Sequence, residues 1–195
     1  MRQRQTLLLR PSTDADLPAI TAIYGDAVLH GTGTFELEPP DAVEIGRRRA
    51  DVLANGLPYL VAQASDGQVR GYAYANHFRP RPGFRFTLED SVYVLPRAHG
   101  QGLGKLLLTE LLTRCEARGA RQMLAVIGDS ANLASISLHA ALGFGHAGLL
   151  KSVGWKFGRW CDVVLMQRAL GALGPLGPLG ALGALGAGDA STPTP

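Results

Sequence analysis

The segment Ser91-Val-Tyr-Val-Leu-Pro-Arg-Ala-His-Gly100-Gln-Gly-Leu-Gly-Lys105 constrains this 195-residue chain more than any other. A strand pattern ends at Val94, and glycines follow at positions 100, 102 and 104. A helical repeat then begins at once, with Leu107, Leu108, Leu111, Leu112 and Cys115 on one apolar face. Glycine lets the backbone come close to a ligand, and a helix start offers unpaired N–H groups at its positive end. Together they point to a phosphate-bearing ligand. Two familiar phosphate motifs do not fit. Walker A requires glycine where His99 stands and Ser or Thr where Leu106 stands. The dinucleotide fingerprint requires a third glycine where Lys105 stands.

Around this turn the chain alternates strands and helices. Thr6–Arg10 reads as a strand, and Thr13-Asp14-Ala15-Asp16 as a capping box ahead of Leu17, Ile20, Tyr24, Ala27 and Val28. A helix is expected over Asp41–Ala54, and a hairpin of Tyr59–Gln63 with Val69–Ala75 turning at Asp66-Gly67. Thr87–Val94 is a strand, Gly104–Arg118 a helix, Gln122–Ile127 a strand and Asn132–Leu142 a helix. Late strands are expected at Gly145–Leu150 and Asp162–Gln167. This order, with an antiparallel middle, implies an α+β fold with a central mixed, twisted sheet flanked by helices. One domain is expected over residues 1–170. Residues 171–195 form a low-complexity tail of five Gly-X-Leu triplets followed by a Pro-rich end, expected to be flexible.

Composition excludes several classes. An apolar fraction of 46% with a formal charge of +3 is that of a globular protein. No apolar run reaches membrane length, so no membrane partner is expected. Arg47-Arg48-Arg49 is the longest basic run, which implies no nucleic-acid partner. Cys115 and Cys161 are far apart, and the first ten residues hold only three leucines as an apolar stretch. A reduced, cytoplasmic location is therefore expected, with both thiols serving as packing groups and no metal.

His99-Gly-Gln-Gly-Leu-Gly104 resembles the pyrophosphate loop of the GNAT acetyltransferases, with His in place of the usual Gln or Arg at its first position. Asn132-x-x-Ser135-x-x-Leu138-His139-x-x-x-Gly143-Phe144 resembles the family's later motif. Across residues 7–168 the likeness is to the branch that acetylates phosphinothricin and methionine sulfoximine or sulfone. Thr87–Val94, Val126-Ile127-Gly128 and Val153-Gly-x-Lys-Phe-Gly-Arg-Trp160-x-Asp162 carry it. The resemblance implies a GNAT-like acyl-CoA N-acyltransferase fold, with acetyl-CoA docked where the strand ending at Val94 parts from Gln122–Ile127. It also implies a small amino-acid substrate and a homodimer.

Roles follow from the resemblance and from what acetyl transfer to an amine requires. Glu89 is placed as the carboxylate base, with Asp90 pointing to the opposite face and away from the site. His139 is placed as an acid for the leaving thiolate, or as a packing group. The backbone of Val92, Tyr93 and Val94 would hold the cofactor, with the Val94 N–H as oxyanion donor if the strand bulges. Gly100, Gln101, Gly102, Leu103, Gly104 and Lys105 would cradle its phosphates and Asn132 would bond its pantetheine arm. Arg81 and Arg79 would take the substrate carboxylate, beside Gly83 and Phe84. Lys156 to Trp160 would shape either the same pocket or the dimer edge. Acetylation of a protein or peptide amine, and a non-catalytic acyl-CoA binding module, are the alternatives. Because the resemblance ends before the Gly-X-Leu tail, deleting residues 172–195 should leave amine acetylation within about twofold of the full chain in a thiol-release assay; a large loss would show that the tail packs against the catalytic unit.

Overall fold

The computed structural model describes residues 7–171, so the tail expectation lies outside the described residues, as does Thr6 of the first expected strand. Strand β1 is Leu7–Pro11, followed by helices α1 (Leu17–His30) and α2 (Ala42–Ala54). Strands β2 (Tyr59–Ala64), β3 (Val69–His77) and β4 (Thr87–Val94) come next, then α3 (Leu103–Ala117), β5 (Gln122–Gly128) and α4 (Leu133–Ala140). The chain closes with β6 (Gly145–Lys156) and β7 (Arg159–Ala169). The seven strands form one sheet in the order β1-β2-β3-β4-β5-β7-β6. Every neighbouring pair is antiparallel except β4 and β5. No helix among the described residues is long and apolar enough to cross a membrane.

Local chemistry sets these elements. The capping box forms as read: the Thr13 N–H donates to Asp16 Oδ2 at 2.7 Å and the Thr13 hydroxyl meets the same oxygen at 3.1 Å. The box encloses a single 3₁₀ turn, Asp14–Asp16, which runs directly into α1. Asp41 caps α2 by accepting the Glu44 N–H at 2.8 Å, and such a bond contributes about 1 kcal/mol. Helices α1 and α2 cover one face of the sheet and α3 covers the other. On the first face all five tyrosines gather. Tyr59, Tyr72 and Tyr74 stack within 6.2 Å, Tyr93 stacks on Tyr72 at 5.2 Å, and Tyr24 of α1 meets Tyr93 edge-on at 5.1 Å. On the other face Leu107, Leu108 and Leu111 of α3 are fully buried.

The late strands are longer than expected. β6 and β7 pair as one hairpin that turns at Phe157-Gly158, with register shifts at His146/Gly148 and Leu150/Gly154. β6 is an edge strand whose residues are nearly all exposed, so it shows none of the in–out alternation by which a half-buried strand is read.

Candidate active site

The parallel pair β4–β5 is the short one. It joins only Thr87 to Gln122, Leu88 to Met123 and Glu89 to Leu124. Beyond Glu89 each strand follows its outer neighbour, β4 staying with β3 as far as Val94 and β5 with β7 as far as Gly128. The sheet therefore opens between them. The Leu95 N–H donates to the Arg70 carbonyl at 2.9 Å. By the alternation of an antiparallel ladder, the N–H groups of Val92 and Val94 then face the opening. The β3–β4 register carries no bulge, so the condition placed on the Val94 N–H is not met, and the ladder's alternation alone turns it to the gap.

Helix α3 begins at the edge of this opening. Gly102 stands at its N-cap with φ +79°, and no side chain caps the helix. A residue with a Cβ would be strained there. The first intrahelical bond runs from the Leu106 N–H to the Gly102 carbonyl at 3.1 Å, which leaves the amides of Leu103, Gly104 and Lys105 without partners inside the helix. A cavity of about 690 Å³ joins these amides to the opening. It is lined by Glu89, Val92, Tyr93, Val94, Gly100, Gly102, Leu103, Gly104, Lys105, Asn132 and His139, so most of the residues singled out from the sequence meet in one place.

Glu89 is half-buried. Loss of water and the neighbouring charge of Asp90 push its carboxyl above the ordinary range, and Arg79 partly offsets this. Asp90 points to the other face, as expected, but it also lines the cavity, which corrects the expectation that only Glu89 would reach the site. The reason is the opening itself: where β4 and β5 part, no sheet separates the two faces. Asp90 Oδ2 lies 3.0 Å from His139 Nε2, and both side chains are almost completely buried. His139 Nδ1 lies 2.7 Å from the Ser135 carbonyl, which can only accept, so Nδ1 carries a proton. Burial pulls the His139 pKa down, but the bond to Asp90, its charge and the Ser135 carbonyl outweigh it and the net shift is upward. The second ring nitrogen thus shares a proton with Asp90. Asp90 Oδ1 is buried with no hydrogen-bond partner among the described residues.

Other expected residues are placed differently. His99 Nε2 bonds the Val94 carbonyl at 2.9 Å and braces the glycine turn from within. The Gln101 amide donates to the Arg97 carbonyl at 3.0 Å and is not among the lining residues. Asn132 Oδ1 caps α4 by accepting the Ser135 N–H at 3.2 Å while its residue lines the cavity, so the capping role and a ligand-facing one coexist. Arg79, Arg81, Gly83 and Phe84 lie outside the cavity wall. Their loop folds on itself: Arg79 sits over Phe78 at 5.0 Å, Phe84 meets Phe78 edge-on at 5.8 Å, and a 3₁₀ turn spans Pro82–Phe84. The cavity is also walled by Asp26, Thr34, Phe35, Tyr74 and Asn76, none of them among the candidate site residues named from the sequence. Cys115 and Cys161 are free and buried, and burial pushes the Cys115 thiol up to about 12.

Comparison with known proteins settles the family. The profile of the Acetyltransferase (GNAT) family matches residues 23–144. The chain belongs to that family. It is 60% identical over 164 residues to a phosphinothricin N-acetyltransferase of Alcaligenes faecalis, covering 84% of this chain and 83% of that one. It is 46% identical over 162 residues to an L-methionine sulfoximine/L-methionine sulfone acetyltransferase of Pseudomonas aeruginosa, covering 82% of this chain and 92% of that one. The crystal structure of a GNAT superfamily phosphinothricin acetyltransferase from Sinorhizobium meliloti in complex with AcCoA superimposes with a TM-score of 0.83. Its sequence is 51% identical, and the match covers 85% of this chain and 89% of that one. Acetyl-CoA is the co-substrate of GNAT enzymes, and this chain's residues fit it: unpartnered amides at α3, an open backbone edge on β4, and glycines at 100 and 102 where an added Cβ would meet nothing within 4 Å.

The Asp90–His139 pair has a pH signature. Because His139's folded pKa is raised above 6.5, its stabilisation is complete below that value and is lost as pH climbs through the folded pKa. The melting temperature of the wild type should exceed that of Asp90→Asn most below pH 6.5, with the difference shrinking as the pH rises through the folded pKa of His139. A difference that grows with pH would contradict the shared proton.

Proposed function

We propose that this chain transfers acetyl from acetyl-CoA directly to the α-amino group of a small amino acid or analogue, of the phosphinothricin or methionine sulfoximine/sulfone type. One observation carries the reading: a half-buried carboxylate, Glu89, stands where β4 and β5 part, in the same cavity as the free amides of α3. Acetyl-CoA supplies the activated acyl thioester. Lys105 and the amides of residues 103–105 hold its phosphates, and the Asn132 side chain meets its arm. Glu89 takes the proton that the substrate ammonium must lose before nitrogen can attack, directly or through one water. The Val94 N–H stabilises negative charge on the carbonyl oxygen as the C–N bond forms. As the C–S bond breaks, the proton shared by Asp90 and His139 is available to the departing thiolate.

Arg79, whose charge already reaches Glu89, is the first candidate to bind the substrate carboxylate. Arg81, Gly83 and Phe84 complete that rim when the loop turns inward over bound substrate. The exposed Trp155, Phe157 and Trp160 of the β6–β7 hairpin support a homodimer, and the two reduced cysteines support a cytoplasmic setting.

Glu89→Gln keeps the shape and removes the base. It should lower kcat by about a hundredfold while the acetyl-CoA dissociation constant, from calorimetry, changes less than about twofold. In the wild type the acidic limb of kcat/KM should titrate above the ordinary 4.5 of a glutamate, and it should vanish in Glu89→Gln. Unchanged turnover at saturating substrate would remove Glu89 from the mechanism.

A further inference from the structure

Lys156 is 1% exposed, at the end of β6, yet its stem carries a full ammonium group into the molecule. Nζ donates to the Thr34 carbonyl at 2.8 Å. The Phe157 ring centroid lies 5.1 Å from it, and Glu36 and Cys161 are nearby ionisable groups. Thr34 belongs to the α1–α2 connection, whose Gly33, Thr34 and Phe35 line the cavity. Two glycines complete the seat. A Cβ added to Gly154 of β6 would fall within 2.7 Å of three Phe35 ring carbons. One added to Gly128, at the end of β5, would overlap the Thr32 carbonyl oxygen. From the opposite side the same connection is tied to α1 and α2: the Tyr24 hydroxyl meets Thr34 Oγ1 at 2.9 Å and donates to Glu36, and Arg48 pairs with Glu36 at 2.5 Å.

An ammonium with one close acceptor is a costly thing to bury. Stability alone does not call for it, since an apolar side chain of the same length fills the same space. What the ammonium does provide is a fixed distance between the β6–β7 hairpin and the Thr34–Phe35 wall. We propose that Lys156 and Gly154 are specificity-determining positioning residues: the hairpin, through the Lys156–Thr34 bond and the Gly154–Phe35 seat, sets how large an amino-acid side chain the cavity accepts. Neither residue lines the cavity, and both act through the wall. The specificity half of this proposal rests on the amino-acid N-acetyltransferase reading above; the seating of the wall does not.

The test therefore has two readouts on Lys156→Met and Gly154→Ala in the full chain. Amide hydrogen exchange of residues 31–36, which needs no turnover, should speed up about tenfold in both variants, while exchange at residues 103–105 stays unchanged. In a thiol-release assay, the preference for methionine sulfone over the bulkier phenylalanine should fall about tenfold, with the KM for acetyl-CoA within about twofold. In a Phe35→Leu background, Gly154→Ala should shift selectivity less than about twofold, because the ring it would displace is gone. Unchanged exchange at 31–36 in both variants overturns the seat. Faster exchange with unchanged selectivity overturns the specificity role. If the wild type acetylates no α-amino acid, the functional reading fails, and exchange alone upholds or overturns the seat.

Discussion

Two parallel strands that stop pairing after three residues impose a condition on everything near them. A sheet interior normally satisfies each N–H and C=O through its neighbours, but β4 runs on to Val94 and β5 to Gly128 without each other. The backbone of Val92 and Val94 is left with donors that face a gap. Such donors are tolerated when solvent or a ligand meets them. The opening is held apart by its outer partners, β3 on one side and β7 on the other, both in regular antiparallel register. It is also what lets Glu89 and Asp90, adjacent and on opposite faces, share one cavity.

The groups around the opening divide the work by environment. Glu89 is half-buried beside a second carboxylate, which favours its protonated form and makes it a stronger base than an exposed glutamate. Asp90 is buried against His139 and hydrogen-bonded to it. The α3 amides and Lys105 add a further electrostatic feature, favourable to anions. Across the cavity the Thr34–Phe35 wall is neutral and shaped by packing against Gly154 and Gly128. On the proposed reading, charge handles the cofactor and the proton, while shape handles the amine.

Elements bounded by strong punctuation were legible in the sequence. Thr87–Val94 is found as read because Pro96 stops it, and the glycine turn and α3 fall where the glycines and the leucine repeat put them. β6 and β7 were read too short, since Ser152, Gly154 and Gly158 look like breakers and an exposed edge strand has no alternation. The lining residues from β4, the turn and α3 were legible because one contiguous segment holds them. The Asp90–His139 pair was not, because its partners lie 49 positions apart and neither has a local pattern. Arg81 and Phe84 were assigned to the pocket by the charge and aromatic content of their loop. Local stacking on Phe78 and the turn at Pro82 direct that loop elsewhere. The segment Lys156 to Trp160 carries no local pattern that tells pocket from dimer edge; in the hairpin Lys156 turns inward, while Phe157 and Trp160 are exposed.

If the gap between β4 and β5 is the acetyl-CoA site, its free donors are the groups that binding must satisfy. NMR-detected amide exchange with and without acetyl-CoA measures this residue by residue. The amides of Val92, Val94, Leu103, Gly104 and Lys105 should slow by about tenfold or more on binding, while those of β1 and β2 far from the opening stay unchanged. Binding that leaves Val92 and Val94 exchanging at their free rates, with protection elsewhere on the surface, would contradict the account.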